Sequence, residues 1–229
     1  MNAIDIEKII AESEEELSAQ FKALEKIAYS NQCRVMEAFQ KSKIALRHFA
    51  ASSGYGYGDE GRDTLNALFA DIFGAEAALV SPNILSGTHA LTVGLFGLLR
   101  TGDTLFSVSG NPYDTLQEVI GGKDIGSLAD FGISFKKCEL KNGDFDTDAI
   151  REGLSDRSVK VVFIQRSRGY EWRDALSEEK IRKICSFVRS CGFTGCIFVD
   201  NCYGEFVETS EPTQNGADIC VGSLIKNPG

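Results

Sequence analysis

The strongest constraint in this chain is a series of short apolar runs, rich in β-branched residues, that alternate with amphipathic helical stretches. VKVVFIQ at 159–165 and GCIFVD at 195–200 are the clearest runs. Neither shows the polar alternation of a strand with one face in water, so both faces must be covered. Stretches with apolar residues at helical spacing lie between the runs and supply that cover. The pattern predicts strands at 77–80, 104–107, 133–137, 159–165, 195–200 and 218–224. Helices are predicted over about 61–73, 87–99, 113–120, 147–153 and 177–189. Such alternation means an α/β fold, a mostly parallel sheet sandwiched by helices. Ligands are then expected beyond the carboxyl ends of the strands.

Upstream the texture differs. Residues 4–49 carry apolar positions at helical spacing (Ile6, Ile9, Ile10, Leu17, Phe21, Leu24, Ile27) with charges between them. ASSGYGYGD at 51–59 is Gly-rich and aromatic without periodicity, and reads as a loop. The expected organisation is a helical N-terminal arm over 1–50 and an α/β domain over 51–229.

Composition narrows the partners. Lys and Arg number 24 against 33 Asp and Glu, a net charge of −9, which argues against nucleic acid or an anionic membrane surface. Seven scattered cysteines without a C-x-x-C pair, and only two histidines, His48 and His89, do not make a structural zinc site. No metal is expected. Reduced thiols of this kind suit the cytoplasm. The acidic start lacks the basic and apolar regions of a signal peptide, and no run approaches the about 20 apolar residues of a membrane span. A cytoplasmic protein is expected.

The residues beyond the strand ends carry the chemistry. Asp200 ends an apolar strand and precedes Asn201, Cys202 and Tyr203. A carboxylate there needs a partner. It either caps or pairs within the loop, or it keeps a proton on the nitrogen of a pyridine ring. Lys226 follows the last apolar run, with Ser223 before it and Asn227-Pro228-Gly229 after it. It is either a solvated loop residue or a desolvated amine, held by a rigid turn and able to form a Schiff base. Ser86 is a natural N-cap, and Gly87 and Thr88 offer first-turn amides, so this helix start is either plainly capped or a phosphate site. His89 falls inside the helix and reads as structural. Tyr113 either stacks on an aromatic ring or covers a helix start. Arg166 and Arg168, at the end of the strongest strand, suit an anion or a substrate carboxylate. Walker A and GxGxxG sequences are absent, so nucleotide-fold readings lack their phosphate loop.

Taken in order, these features resemble the fold-type I enzymes of pyridoxal 5′-phosphate (PLP). Within that class the chain resembles the cystathionine/methionine gamma-lyase group, and in it the aluminium-resistance, or methionine gamma-lyase-like, branch. The stretches that carry the likeness are SGYGYGDEGRDTLNALFADIFGAE, SGTHAL, GNPYDTLQEVIG, QRSRGY, VDNCYGEF and GSLIKNPG, spread from Ser53 to Gly229.

The resemblance implies a seven-stranded type of sheet. It also implies a PLP-dependent carbon–sulfur lyase that acts on a sulfur-containing amino acid by α-proton abstraction and elimination. Lys226 would carry PLP as a Schiff base and later move the α-proton. Asp200 would pair with the pyridine nitrogen, and Tyr113 would stack on the ring and take part in catalysis. Ser86, Gly87, Thr88 and Ser223 would bind the phosphate, and Asn201 would contact the ring hydroxyl. Arg166 and Arg168 are the candidates for the substrate carboxylate. Tyr55, Tyr57 and Arg62 match positions that reach a neighbouring subunit's site, so a homodimer or homotetramer with shared sites is implied.

Family members continue past the lysine into the rest of a large domain and a smaller C-terminal one. Residues 51–229 are therefore expected to form an incomplete PLP-binding domain with the small domain absent. Two other readings share these residues: another fold-type I reaction such as transamination, and a non-catalytic truncated protein of the same fold.

Overall fold

The computed structural model describes residues 5–227. Its centre is a five-stranded parallel sheet in the order β2-β1-β5-β6-β7. The strands are β1 (Thr104–Ser107), β2 (Ser134–Lys137), β5 (Val159–Gln165), β6 (Cys196–Asp200) and β7 (Ile219–Val221). β5 lies in the middle, with every residue but Lys160 buried. Side-chain alternation sends its apolar residues to both faces of the sheet. Val162 and Ile164 join one core with Ile150 of α6 (Thr147–Leu154) and Ile181, Ile184 and Val188 of α7 (Glu178–Ser190). Val161 and Phe163 join another with Leu91 and Leu95 of α4 (Gly87–Leu98) and Leu116 and Ile120 of α5 (Asp114–Gly121). The sheet is thus covered on both faces, as the apolar runs require.

This topology places a crevice. The chain leaves β1 for α5 on one face and leaves β5 for α7 on the other. The loops beyond these adjacent strands therefore part, and a parallel sheet opens at such a switch point. The two loops stay cross-linked at its floor. Tyr113 N donates to Gln165 Oε1 at 2.6 Å, and Gln165 N donates to Ser109 Oγ at 2.8 Å.

Two features differ from the sequence expectation. Residues 77–80 are not a strand, and the parallel sheet has five strands rather than seven. A strand needs a ladder partner, and among the described residues none runs beside this segment; Val80 N donates instead to Asn66 Oδ1 at 2.8 Å. A separate antiparallel ribbon joins β3 (Leu140–Lys141) to β4 (Asp144–Phe145). Its two-residue turn, Asn142-Gly143, has φ values of 54° and 76°, the left-handed pair that Asn-Gly favours. The N-terminal segment is helical, in pieces: α1 (Ile6–Glu16) ends at Leu17, α2 (Ser18–Lys41) follows, and Leu46–Phe49 is a short 3-10 helix.

In α1 and α2 only Asn31 and Ala38 are buried. α2 is tied down by its polar side: Asn31 Nδ2 donates to the Phe206 carbonyl at 2.7 Å, and Arg34 pairs with Glu211 at 3.2 Å. Helix α3 (Glu60–Phe73) starts on Asp59, whose side chain accepts from Arg62 N, and stops at Gly74 with φ 62°. Among the described residues, no helix is long and apolar enough to cross a membrane.

One glycine sets the spacing between α4 and the sheet. A Cβ on Gly94 would lie 2.8 Å from Cε2 of Phe198, whose ring is stacked on Phe163 with centroids 5.8 Å apart. Gly94→Ala gains about 1 kcal/mol of helix propensity. The clash with a ring that cannot swing aside costs about 1–3 kcal/mol and wins. The variant is expected to melt about 2–4 °C below the parent in a circular-dichroism melt; a higher midpoint would show that α4 and β6 have slack between them.

Candidate functional site

The switch-point crevice is a cavity of about 590 Å³ whose lining includes Thr88, Tyr113, Arg168, Asp200, Tyr203 and Lys226. Each comes from the carboxyl end of a strand, the loop beyond it or the first turn of α4. Asp200 closes β6 at 3% exposure, and its Oδ1 accepts Cys202 N at 3.0 Å. Burial pushes its carboxyl up from the ordinary range; the Cys202 amide and the charge of Lys226 oppose that shift.

Lys226 is aimed by its loop. Lys226 N donates to the Ser223 carbonyl at 2.9 Å, closing a turn. Glu205 grips that turn: its buried carboxyl Oε1 accepts Ser223 N at 2.6 Å, and its backbone carbonyl accepts the Asn227 side-chain amide. Gly222 is required beneath it, because a Cβ there would fall 2.2 Å from Glu205 Oε1. The Lys226 amine consequently sits 4.7 Å from the centre of the Tyr203 ring and 5.9 Å from that of Tyr113. Tyr113 meets a second aromatic residue, Tyr170, at 5.7 Å between centroids and 3.3 Å between hydroxyls. That contact raises the Tyr113 phenol above its ordinary range. The predicted turn residues Pro228 and Gly229 lie outside the described residues.

At the start of α4, Ser86 Oγ accepts His89 N at 3.1 Å, so this serine serves as the helix cap. Gly87 is hemmed in: a Cβ would lie 2.9 Å from Cys202 Sγ and 3.3 Å from Ser223 Cβ. Thr88 Oγ1 bonds Thr115 Oγ1 at 2.8 Å. Helix geometry leaves the first-turn amides without intrahelical acceptors. Ser86 and Ser223 line a neighbouring apolar groove of about 620 Å³ rather than the cavity.

Two predicted residues are engaged elsewhere. Asn201 is fully buried and does not line the cavity; its Oδ1 accepts from Arg166, and its Nδ2 donates to Glu211 Oε2 at 3.1 Å. Arg166 touches the cavity, yet all its nitrogens are committed. Nε donates to the Leu176 carbonyl, Nη1 to Asn201 Oδ1 and the Gly204 carbonyl, and Nη2 to Glu208 Oε1. It is a structural tie rather than an open anion site. Arg168 keeps its guanidinium uncommitted among the described residues, stacked 5.6 Å from the exposed ring of Trp172.

Tyr55 and Tyr57 lie outside this cavity, 70% and 84% exposed, with rings 5.7 Å apart. Arg62 steadies their loop by donating to the carbonyls of Tyr55 and Gly56. Sequence reasoning overlooked Tyr170, Tyr203 and Glu205. All three lie within the stretches that carry the family likeness, but nothing in residue type shows which side of a loop faces a cavity. The cavity thus offers a primary amine, a buried carboxyl, three phenols and a helix N-terminus.

Comparison with known proteins follows the same lines. A family model described as methionine gamma-lyase matches residues 6–229. The uncharacterised protein YnbB of Bacillus subtilis is 46% identical over 228 residues, which are 98% of this chain and 54% of that protein. A structure from Listeria innocua, provisionally named a cystathionine beta-lyase involved in aluminium resistance, is 46% identical with a TM-score of 0.94. The match covers 98% of this chain and 55% of that one. A carbon–sulfur lyase involved in aluminium resistance from Clostridium novyi is 45% identical with a TM-score of 0.88, over 93% of this chain and 51% of that one. The chain spans about half the length of these relatives.

Around Arg166 the charges do not balance. Glu178 Oε1 lies 2.9 Å from Arg166 Nη1, at an angle that makes an ion pair without a hydrogen bond. Glu208 shares the same guanidinium, and Glu211 pairs with Arg34. Three carboxylates thus meet two arginines. Burial pushes Glu178 up to about 7 against the pull of Arg166, and burial likewise lifts Glu205 to about 6. The folded state therefore holds protons that the unfolded chain has released above its ordinary carboxyl range. Their stabilisation is full at low pH and is lost as pH rises through those values. The melting temperature is expected to fall between about pH 5 and pH 8, and Glu178→Gln to flatten the upper part of that slope. Parallel slopes for both proteins in pH-resolved melts would show that Glu178 is ionised throughout.

Proposed function

Because the chain belongs to the methionine gamma-lyase family, we propose that its cavity holds PLP on Lys226 and serves elimination of a sulfur leaving group from a sulfur-containing amino acid. The observation that carries this reading is the convergence of Lys226, Tyr113 and the buried Asp200 on one cavity. Bound there, PLP would supply an electron sink for a carbanion at the α-carbon.

The residues fit that group. Asp200 is a buried carboxyl raised by desolvation, which a protonated pyridine nitrogen would relieve. Tyr113 offers a ring face across the cavity from that strand end. The first-turn amides of Gly87 and Thr88 suit a phosphate at the start of α4, aided by the helix dipole. Ser86 and Ser223 back that helix start rather than facing the cavity. Lys226 would hold the cofactor and then take the α-proton of the substrate. The carbon–sulfur bond breaks with its electron pair on sulfur, which leaves as a thiolate and is protonated to the thiol; a γ-leaving group needs a further proton shift at the β-carbon. Arg168, uncommitted at the mouth, is the better candidate for the substrate carboxylate, since Arg166 is consumed by its neighbours.

Tyr55, Tyr57 and Arg62 are assigned to the site of a second copy, so the active form would be a homodimer or homotetramer. Its partners are itself and a small amino acid, with no nucleic acid and no membrane, in the cytoplasm. The Clostridium novyi relative, named a carbon–sulfur lyase, favours elimination over amino-group transfer on the same scaffold.

Incubation with PLP followed by borohydride reduction and peptide mapping tests the cofactor assignment. The label is expected on Lys226 and is expected to vanish in Lys226→Ala. A substrate panel then tests the reaction: thiol and 2-oxo acid release from cystathionine or methionine, reduced by at least about a hundredfold in Lys226→Ala. Amino-group transfer without thiol release would replace elimination by transamination. A colourless protein with unmodified Lys226 would sink the enzymatic reading.

A further inference from the structure

We infer that Tyr203 is a positioning residue for Lys226, a ring held in the cavity by a strained backbone so that the amine is fixed between it and Tyr113. The inference rests on the reading of Lys226 as the cofactor lysine and adds a residue to it.

Tyr203 has φ 70°, in the left-handed region where a bulky residue is a real outlier. The next residue, Gly204, is not left-handed; it is glycine for steric reasons, since a Cβ there would lie 2.3 Å from Asn201 Oδ1 and 2.6 Å from Arg166 Cδ. Glycine at 203 would remove the strain at no steric cost, yet tyrosine stands there. Core packing does not explain it, because Tyr203 is 60% exposed. Nor does hydrogen bonding: its hydroxyl has no partner among the described residues.

What the ring does touch is Lys226. The amine lies 4.7 Å from its centre, closer than to Tyr113 at 5.9 Å, and both distances fall within cation–π range. The turn is also unable to relax. Cys202 N is held by Asp200 Oδ1 at 3.0 Å, Asn201 N by the Val221 carbonyl at 2.7 Å, and Gly204 N by the Asn201 carbonyl at 2.7 Å. Arg166 pins the Gly204 carbonyl from below at 2.8 Å. The buried network therefore maintains a conformation whose visible product is a ring against the amine. Left-handed strain sustained from outside, with the side chain in a cavity, is the pattern of a functional site.

The test compares the protein with Tyr203→Phe and Tyr203→Gly. Melting midpoints are read first: glycine relieves the strain, so its variant is expected to melt at or above the parent. Acylation of Lys226 by N-hydroxysuccinimide acetate is then followed by peptide mass without cofactor. Tyr203→Gly is expected to be labelled about tenfold faster as the amine leaves the rings, and Tyr203→Phe within about twofold of the parent. The PLP concentration for half-saturation is expected to rise about tenfold in Tyr203→Gly alone. Unchanged acylation, unchanged half-saturation in a parent that binds PLP, or a glycine variant that melts lower would each overturn the role. If the parent takes up no PLP, the cofactor reading fails separately and the acylation rates alone decide the question for Tyr203.

Discussion

The buried guanidinium of Arg166 is the interaction on which the cavity depends. It leaves the end of β5 and binds Asn201 and Gly204 beyond β6, the Leu176 carbonyl before α7, and the carboxylates of Glu178 and Glu208. Through Asn201 it reaches Glu211, and through Glu211 it reaches Arg34 of α2. Desolvating so many charges offsets most of their attraction, so such a network is weak evidence for stability. Its geometric effect is stronger. Remove the fork and the β6 turn loses the contact that sets the position of Gly204, and with it Tyr203.

A second constraint acts from the opposite side of the cavity. Parallel strands end together, and their loops diverge only where successive connections take opposite faces. Here that place lies between β1 and β5, which puts Tyr113 beside Tyr170. Lys226 approaches from β7, two strands away, and Glu205 turns it inward. Glu205 belongs to the same 200–206 segment that carries Asp200 and Tyr203. One short segment therefore fixes the carboxyl, one ring and the direction of the amine.

Much of this was legible in the chain and some was not, for physical reasons. β5 was readable to the residue because a short run rich in β-branched residues, broken only by Lys160 before the terminal Gln165, suits a strand covered on both faces better than a helix. The 77–80 run looked equally apolar, but a strand is defined by a neighbour, and no local pattern reports whether one exists. The Asn142-Gly143 ribbon has a turn signal, but its two strands are only two residues long, too short to show a hydrophobic run. In the cavity, Lys226, Asp200, Tyr113 and Arg168 come together from the ends of strands, and Thr88 from the start of α4, which no strand precedes directly. Arg166 and Asn201 have the same sequence credentials and are turned into the interior. An arginine after a strand is equally suited to a ligand and to a set of buried carboxylates. Only the positions of Glu178, Glu208 and Glu211, which are distant in sequence, decide between them.

The same argument explains why Tyr203 is invisible to pattern reading. Its residue type is ordinary, and its significance lies in a backbone angle that its neighbours impose. Glycine sits one position later, where Arg166 and Asn201 leave no room for a Cβ, so composition points to the wrong residue of the pair. The turn needs a small residue at 204 and receives one; at 203 it would be more relaxed with a small residue and carries a large one. A local rule broken in this way, beside a lysine amine and above a charged network that keeps the turn from relaxing, locates where packing yields to another requirement. In this chain that place is the ring of Tyr203 against Lys226.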